Sequence, residues 1–146
     1  MNLLNIDLSF KHILNLPKVY GEDNYGPKIS FRVMNENFMA NSNGIYLIVQ
    51  GHEREIMYCG MCGAESFRTR LLFNNPNDLH FHNQKKIRVL IGKAIKEDIE
   101  VHAQTKEALR QALASQSVSP DMLETLNSIK RVIIDLTDPP WNRRAW

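Results

Sequence analysis

Apolar positions along this chain follow two spacings, and each predicts its own kind of element. Between residues 44 and 49 apolar side chains stand on both sides of an extended run. Ile45, Leu47 and Val49 fall on one side, Tyr46 and Ile48 on the other. A strand that is apolar on both faces belongs inside a sheet covered on both sides. The polar stretch Gln50-Gly51-His52-Glu53-Arg54-Glu55 follows, and residues 55–58 return as a second strand, so a β-hairpin is predicted. Residues 29–33 and 99–103 alternate apolar with polar and predict two more strands. The second of these closes a small sheet with the hairpin. Residues 9–16 predict a short element, helix or strand, that ends at Pro17.

Elsewhere the apolar spacing is three and four. Phe67 and Leu71 predict a helix over 64–73, stopped by Asn74-Asn75-Pro76-Asn77-Asp78. Ile87, Leu90, Ile91, Ala94 and Ile95 predict an amphipathic helix, with Lys86, Lys93 and Lys96 on its outward stripe. Thr105 is a predicted N-cap for a helix running to about Ala114. Ser119-Pro120-Asp121 predicts another helix start, with a capping serine, proline at the first position and an acid in the first turn. Met122, Leu126, Ile129, Ile133 and Leu136 carry that helix to Pro139. Glycines and a proline predict a loop over 20–27 and a turn over 41–44. The whole reads as one α+β domain spanning 1–146, with a core over 44–142 and an N-terminal extension over 1–43.

Composition changes this picture little. The chain has 146 residues, of which 43% are hydrophobic and 23% charged, as in an ordinary globular domain. No apolar run reaches the ~18 residues of a membrane helix. The first residues carry no basic stretch followed by a long apolar one, so no secretory signal and a cytoplasmic setting are expected. A net charge of +2 makes no case for nucleic acid by itself. The distribution says more, because Arg68, Arg70, Lys85, Lys86, Arg88 and Lys93 gather in the middle of the chain. The two cysteines, Cys59 and Cys62, are too few for a disulfide framework. With His80 and His82 they predict, as a minor alternative, a Cys₂His₂ zinc site.

The hairpin carries chemistry-bearing residues in a particular order. Gly44-Ile45-Tyr46 lies on its first strand, Tyr58-Cys59-Gly60 on its second, and Arg70-Leu71 on the helix after it. A lysine-bearing helix, 85–97, precedes the next strand, and Asp138-Pro139-Pro140-Trp141-Asn142 closes the pattern. In that order these segments resemble the GIY-YIG endonucleases, including restriction-type and phage-type members. The resemblance runs weakly through 9–16 and in order through 44–142, and leaves 17–43 and 105–122 uncovered. It implies a three-stranded, mostly antiparallel sheet flanked by helices, and hydrolysis of DNA phosphodiester bonds with one divalent cation, Mg²⁺ or Mn²⁺. Double-stranded DNA is the implied partner, with no membrane. A nuclease with one site that cuts both strands often works as a homo-oligomer.

Phosphodiester hydrolysis needs an activated water, stabilised charge on the phosphoryl oxygens and help for the leaving group. By resemblance, Tyr46 and Tyr58 place two phenols at one site, one in the network that activates water and one positioning the phosphate. Arg70 binds a non-bridging oxygen as a fixed cation, with Arg68 as its rival. Asn142 caps or bridges near the site. Arg68, Lys85, Lys86, Arg88 and Lys93 are the expected contacts to the DNA backbone, which position a duplex without reading it. The family's metal-binding glutamate falls about ten residues before the closing proline. Here that position holds Ser128-Ile129-Lys130, and the nearest upstream acid is Glu124, in Leu123-Glu124-Thr125-Leu126. Glu124 is therefore the expected metal ligand. The competing expectation is a GIY-YIG domain of reduced catalysis that binds DNA or a protein.

Overall fold

The computed structural model describes residues 2–3, 6–24, 26–51, 54–72, 85–95 and 98–143, with backbone alone at 2, 3, 6 and 85. A short ribbon of β1 (Asn2–Leu3) and β2 (Ile6–Asp7) comes first. There follow β3 (Lys11–Leu16), β4 (Val19–Asp23), β5 (Gly26–Ile29), β6 (Arg32–Val33) and α1 (Glu36–Asn41). The hairpin is β7 (Gly44–Gln50) and β8 (Glu55–Cys62). Then come α2 (Phe67–Leu72), α3 (Lys85–Ala94), β9 (Ile99–Thr105), α4 (Lys106–Ala114) and α5 (Leu126–Thr137). Two 3₁₀ turns, Pro120–Leu123 and Pro140–Asn142, flank α5.

The α+β class holds, but the main sheet has five antiparallel strands, in the order β6-β3-β9-β7-β8. β9 pairs with β7 on one side, as the alternation of 99–103 predicts, and with β3 on the other. Ile13, Leu14 and Leu16 are buried, which draws residues 11–16 out of the supposed extension and into the sheet. The predicted strand over 29–33 is divided between β5 and β6. Where a loop over 20–27 is predicted, residues 20–23 and 26–27 are in strands. β4 and β5 pair as a ribbon, and α3 lies against β5.

Helices cover both sheet faces. Tyr46, Ile48, Val101 and Ala103 pack with Met39, Phe67, Leu71, Ile87 and Ile91 from α1, α2 and α3. On the other face Ile45, Leu47, Val49 and Cys59 pack with Leu109, Leu113, Ile129, Val132 and Ile133 from α4 and α5. Full burial of each large aliphatic side chain contributes about 1.5–3 kcal/mol, so these two layers hold the hairpin from both sides. No described helix is long and apolar enough to cross a membrane.

Capping explains the helix that differs most in length from expectation. The stretch 119–136 divides into a 3₁₀ turn and α5 because Thr125 is extended and caps a new helix. Its hydroxyl accepts from the Ser128 N–H at 3.0 Å, and the Ser128 hydroxyl reaches back to the Thr125 N–H at 3.2 Å. That reciprocal box satisfies two otherwise orphaned donors. As predicted, Thr105 caps α4, accepting from the Ala108 N–H.

Candidate active site

The register of the hairpin sets Tyr46 opposite Gly60 and Ile48 opposite Tyr58. Cross-strand partners and residues two apart share a face, so both tyrosines point to the face covered by α1–α3. Their ring centroids lie 6.2 Å apart, tilted by 42°. The glycines of the two motifs have separate reasons. A Cβ at Gly60 would collide with the ring and hydroxyl of Tyr46, so the bare backbone of Gly60 is the surface on which that tyrosine lies. Gly44 has φ +145° and a Cβ there would strike the carbonyl oxygen of Gln104. Only glycine accepts both that dihedral and that close approach of β7 to β9.

The third member arrives on α2. Phe67, Leu71 and Leu72 bury one side of this short helix, and the Phe67 N–H donates to the Ser42 carbonyl at 2.9 Å. Arg70, on another side, lies close enough to the Tyr46 hydroxyl for its guanidinium to act on it. Its Nη1 lies 3.9 Å from the carboxylate of Glu65, and its buried Nε has no hydrogen-bond partner among the described residues. Tyr46, Tyr58 and Arg70 are thus brought together, as the motif order implies.

Burial governs the acid–base state of this group. It pushes the Tyr46 hydroxyl far above the ordinary phenol value, with the neighbouring Tyr58 adding to the rise and Arg70 offsetting part of it. Tyr58 is raised too, by burial first and then by Cys59. Both phenols therefore stay protonated at neutral pH. They can donate and accept hydrogen bonds but cannot serve as phenolate bases.

Asn142 also comes close, though as a clamp. It accepts from the Cys59 N–H at 2.8 Å and its amide donates to the Cys59 carbonyl at 3.0 Å. It therefore holds β8 at the residue next to Tyr58.

Glu124 is not brought to the tyrosines. It ends the 3₁₀ turn before α5, exposed, in a groove it shares with Arg110, Ser117 and Pro120. Its neighbour Leu123 packs with Ile45 and Leu47, on the sheet face opposite Tyr46. The Thr125 cap is the physical reason, since it begins a new helix one residue after Glu124. Ile129 is buried in the same layer, and the Lys130 ammonium acts on Cys59, whose thiol burial has pushed up to about 12. The carboxylate set beside Arg70 is Glu65, which the motif order did not single out. Its signal is an acid five residues before the motif arginine, in the first turn of the predicted helix.

The cationic residues divide in the same way. Arg88 is a correction, because it is 1% exposed. Its guanidinium donates to the Pro27 carbonyl at 2.8 and 3.1 Å and to Asp23 at 3.2 Å. It ties α3 to the β4–β5 ribbon and presents nothing to DNA. Arg68 pairs with Glu36 at 3.1 Å near the surface. Lys86 and Lys93 are exposed on α3, and the Lys85 side chain lies outside the described residues. So do Asn74, His80 and His82. The zinc alternative through Cys59 and Cys62 fails on geometry. Three residues apart on β8, the two thiols are buried on opposite faces of the sheet.

Set against family models, curated proteins and solved structures, the chain matches none.

Proposed function

We propose that the chain is a DNA endonuclease of the GIY-YIG kind, hydrolysing phosphodiester bonds with a divalent cation. The observation that carries this reading is the convergence of Tyr46, Tyr58 and Arg70 on one site, with the Arg70 guanidinium close to the Tyr46 hydroxyl. Arg70 holds a non-bridging phosphate oxygen. Tyr46, locked over Gly60, orients that guanidinium from below. Tyr58, the less buried phenol, positions the phosphate or the attacking water by hydrogen bonding. Hydrolysis adds water across a P–O bond, with one proton leaving the water and one reaching the departing oxygen. Neither tyrosine takes the first of these as a phenolate.

Mg²⁺ or Mn²⁺ is held by one or two carboxylates together with substrate phosphate. Glu65 fits that habit at this site and Glu124 does not, lying behind the sheet. The cation supplies charge neutralisation on the phosphoryl oxygens. Lys86 and Lys93 lie on the outer side of α3, where they would meet backbone phosphates of double-stranded DNA.

The position of Glu124 and the presence of Ile129, flanked by Ser128 and Lys130, where the family places an acid favour a second reading, a domain that grips DNA without cutting it. Nicking of supercoiled plasmid in Mg²⁺ and in Mn²⁺ separates the two. The nuclease reading expects nicking that falls about 100-fold or more in Arg70→Ala and in Glu65→Gln, and is unchanged in Glu124→Gln. Salt-dependent plasmid retention without nicking would transfer the case to the second reading. Nicking that survives Arg70→Ala would end the site assignment.

A further inference from the structure

Behind the sheet, on the face away from the tyrosines, lies a second constellation with no part in the proposed hydrolysis. Glu100 and His102 stand two apart on β9 and so share a face. The register of β3 sets His12 directly opposite His102. One ligand atom from each of the three residues lies within 4.8 Å of the others. His102 is almost wholly buried, while His12 and Glu100 are partly open. A polar cavity of about 400 Å³, lined by Asn15, Arg32, Asp98 and Glu100 among others, opens beside them. The donors therefore come from two neighbouring strands inside a five-stranded sheet, which is a rigid support, and the edge of the cluster is open to an entering ion.

The geometry points to a transition-metal site made by His12, Glu100 and His102, a His₂Glu set for Zn²⁺ or a similar divalent ion. Two imidazoles and one carboxylate, with a remaining position for water, form a recognised donor set for such ions. Four-coordinate zinc with bonds of ~2.0–2.1 Å separates its ligand atoms by about 3.4 Å. Glu100 Oε1 already lies 2.8 Å from His102 Nε2 and 3.7 Å from His12 Nε2, on either side of that spacing.

Several contacts hold the metal-free arrangement, among them one from His12 Nε2 to the Leu14 carbonyl at 3.1 Å. The imidazoles of His12 and His102 stack at 4.8 Å with 13° between their planes. Lone pairs in parallel rings do not converge, so His12, the more exposed ring, must turn out of the stack. In doing so it leaves Asn15 Oδ1, now 2.6 Å from its Nε2. Arg54 also occupies Glu100, with Nη1 2.6 Å from Oε1. That guanidinium is half-exposed, and it competes with an incoming cation for the same oxygen. The site is thus a donor set closed by an arginine, and the metal has to displace it.

Zinc titrated into the full chain, freed of metal beforehand, tests this by calorimetry and by metal content after dialysis. Co²⁺ in place of Zn²⁺ reports coordination through its visible absorption. One ion per chain is expected. His12→Ala and Glu100→Gln should weaken binding by about 100-fold or more, as loss of even an outer-shell partner costs about 10–100-fold. Arg54→Ala should strengthen it by up to about fivefold, the worth of a surface ion pair. The His12 and Arg54 variants alter partly exposed side chains, so they remain informative if His102→Ala fails to fold. No stoichiometric binding at micromolar zinc overturns the proposal. So does binding that His80→Ala or His82→Ala abolishes while His12→Ala leaves it intact. Plasmid nicking plays no part in these readouts, so failure here leaves the nuclease reading standing, and the reverse.

Discussion

The two faces of β9 and β7 make an instructive pair. On one face lie Tyr46 and Tyr58, with Arg70 supplied by a helix packed over them. On the other lie Glu100 and His102, with His12 supplied by the neighbouring strand. The first group is knit into the core, since Tyr46 is among the largest fully buried side chains. Its chemistry is therefore that of protonated phenols steadying a cation. The second sits at the margin of its layer, where carboxylate and imidazoles meet an opening. The same alternation of side chains produced both. What separates them is the cover each face receives, dense from α2 for the tyrosines and partial for the histidines. A single sheet thus carries a phenol–guanidinium group on one face and an imidazole–carboxylate group on the other.

Variants that damage one face and spare the other test that independence. The largest separation is expected from Gly60→Ala. The added methyl displaces the Tyr46 ring, destabilising the fold by about 1–3 kcal/mol in thermal or urea unfolding. Misplacing the phenol and Arg70 should also lower nicking about 100-fold, with zinc affinity unchanged. Asn142→Ala comes next. It removes two hydrogen bonds to β8, for a loss of about 1–2 kcal/mol in unfolding measurements, and should lower nicking about tenfold while leaving zinc binding alone. Arg54→Ala acts on the other face only, raising zinc affinity in calorimetry with the nicking rate unaltered. Glu124→Gln should be the smallest, within about 0.5 kcal/mol in stability and silent in both assays. A fall in nicking for that variant would place the carboxylate function behind the sheet after all.

Legibility in the sequence followed the strength of the periodic signal. β7, β9 and α3 were readable because each repeats its apolar spacing over at least five residues, while α4 was readable from its Thr105 cap. β3 was left between helix and strand. His12 and Asn15, polar at inward-leaning positions, blur its alternation, and a register shift between His12 and Leu14 breaks the period. The β4–β5 ribbon was hidden because β4 is exposed at every position, so no apolar pattern records it. The division before α5 was missed because Ser119-Pro120 is itself a strong start signal, while the decisive box lies at Thr125 and Ser128. At the site, the tyrosines and Arg70 were legible from motif order. Glu65 was not, because an acid in the first turn of a predicted helix looks like ordinary dipole compensation. The His12–Glu100–His102 group could not be read from spacing at all. Its members are brought together by pairing between strands far apart in the chain.

The Asn142 clamp has one more effect. β8 is the outer strand of the sheet, and outer strands invite another chain to pair with them. By engaging both the N–H and the carbonyl of Cys59, the Asn142 side chain does the work of one residue of a sixth strand. It withholds that stretch of edge from any visiting peptide at the point where Tyr58 projects, and so keeps the tyrosine face from being extended, blocked or swapped between molecules.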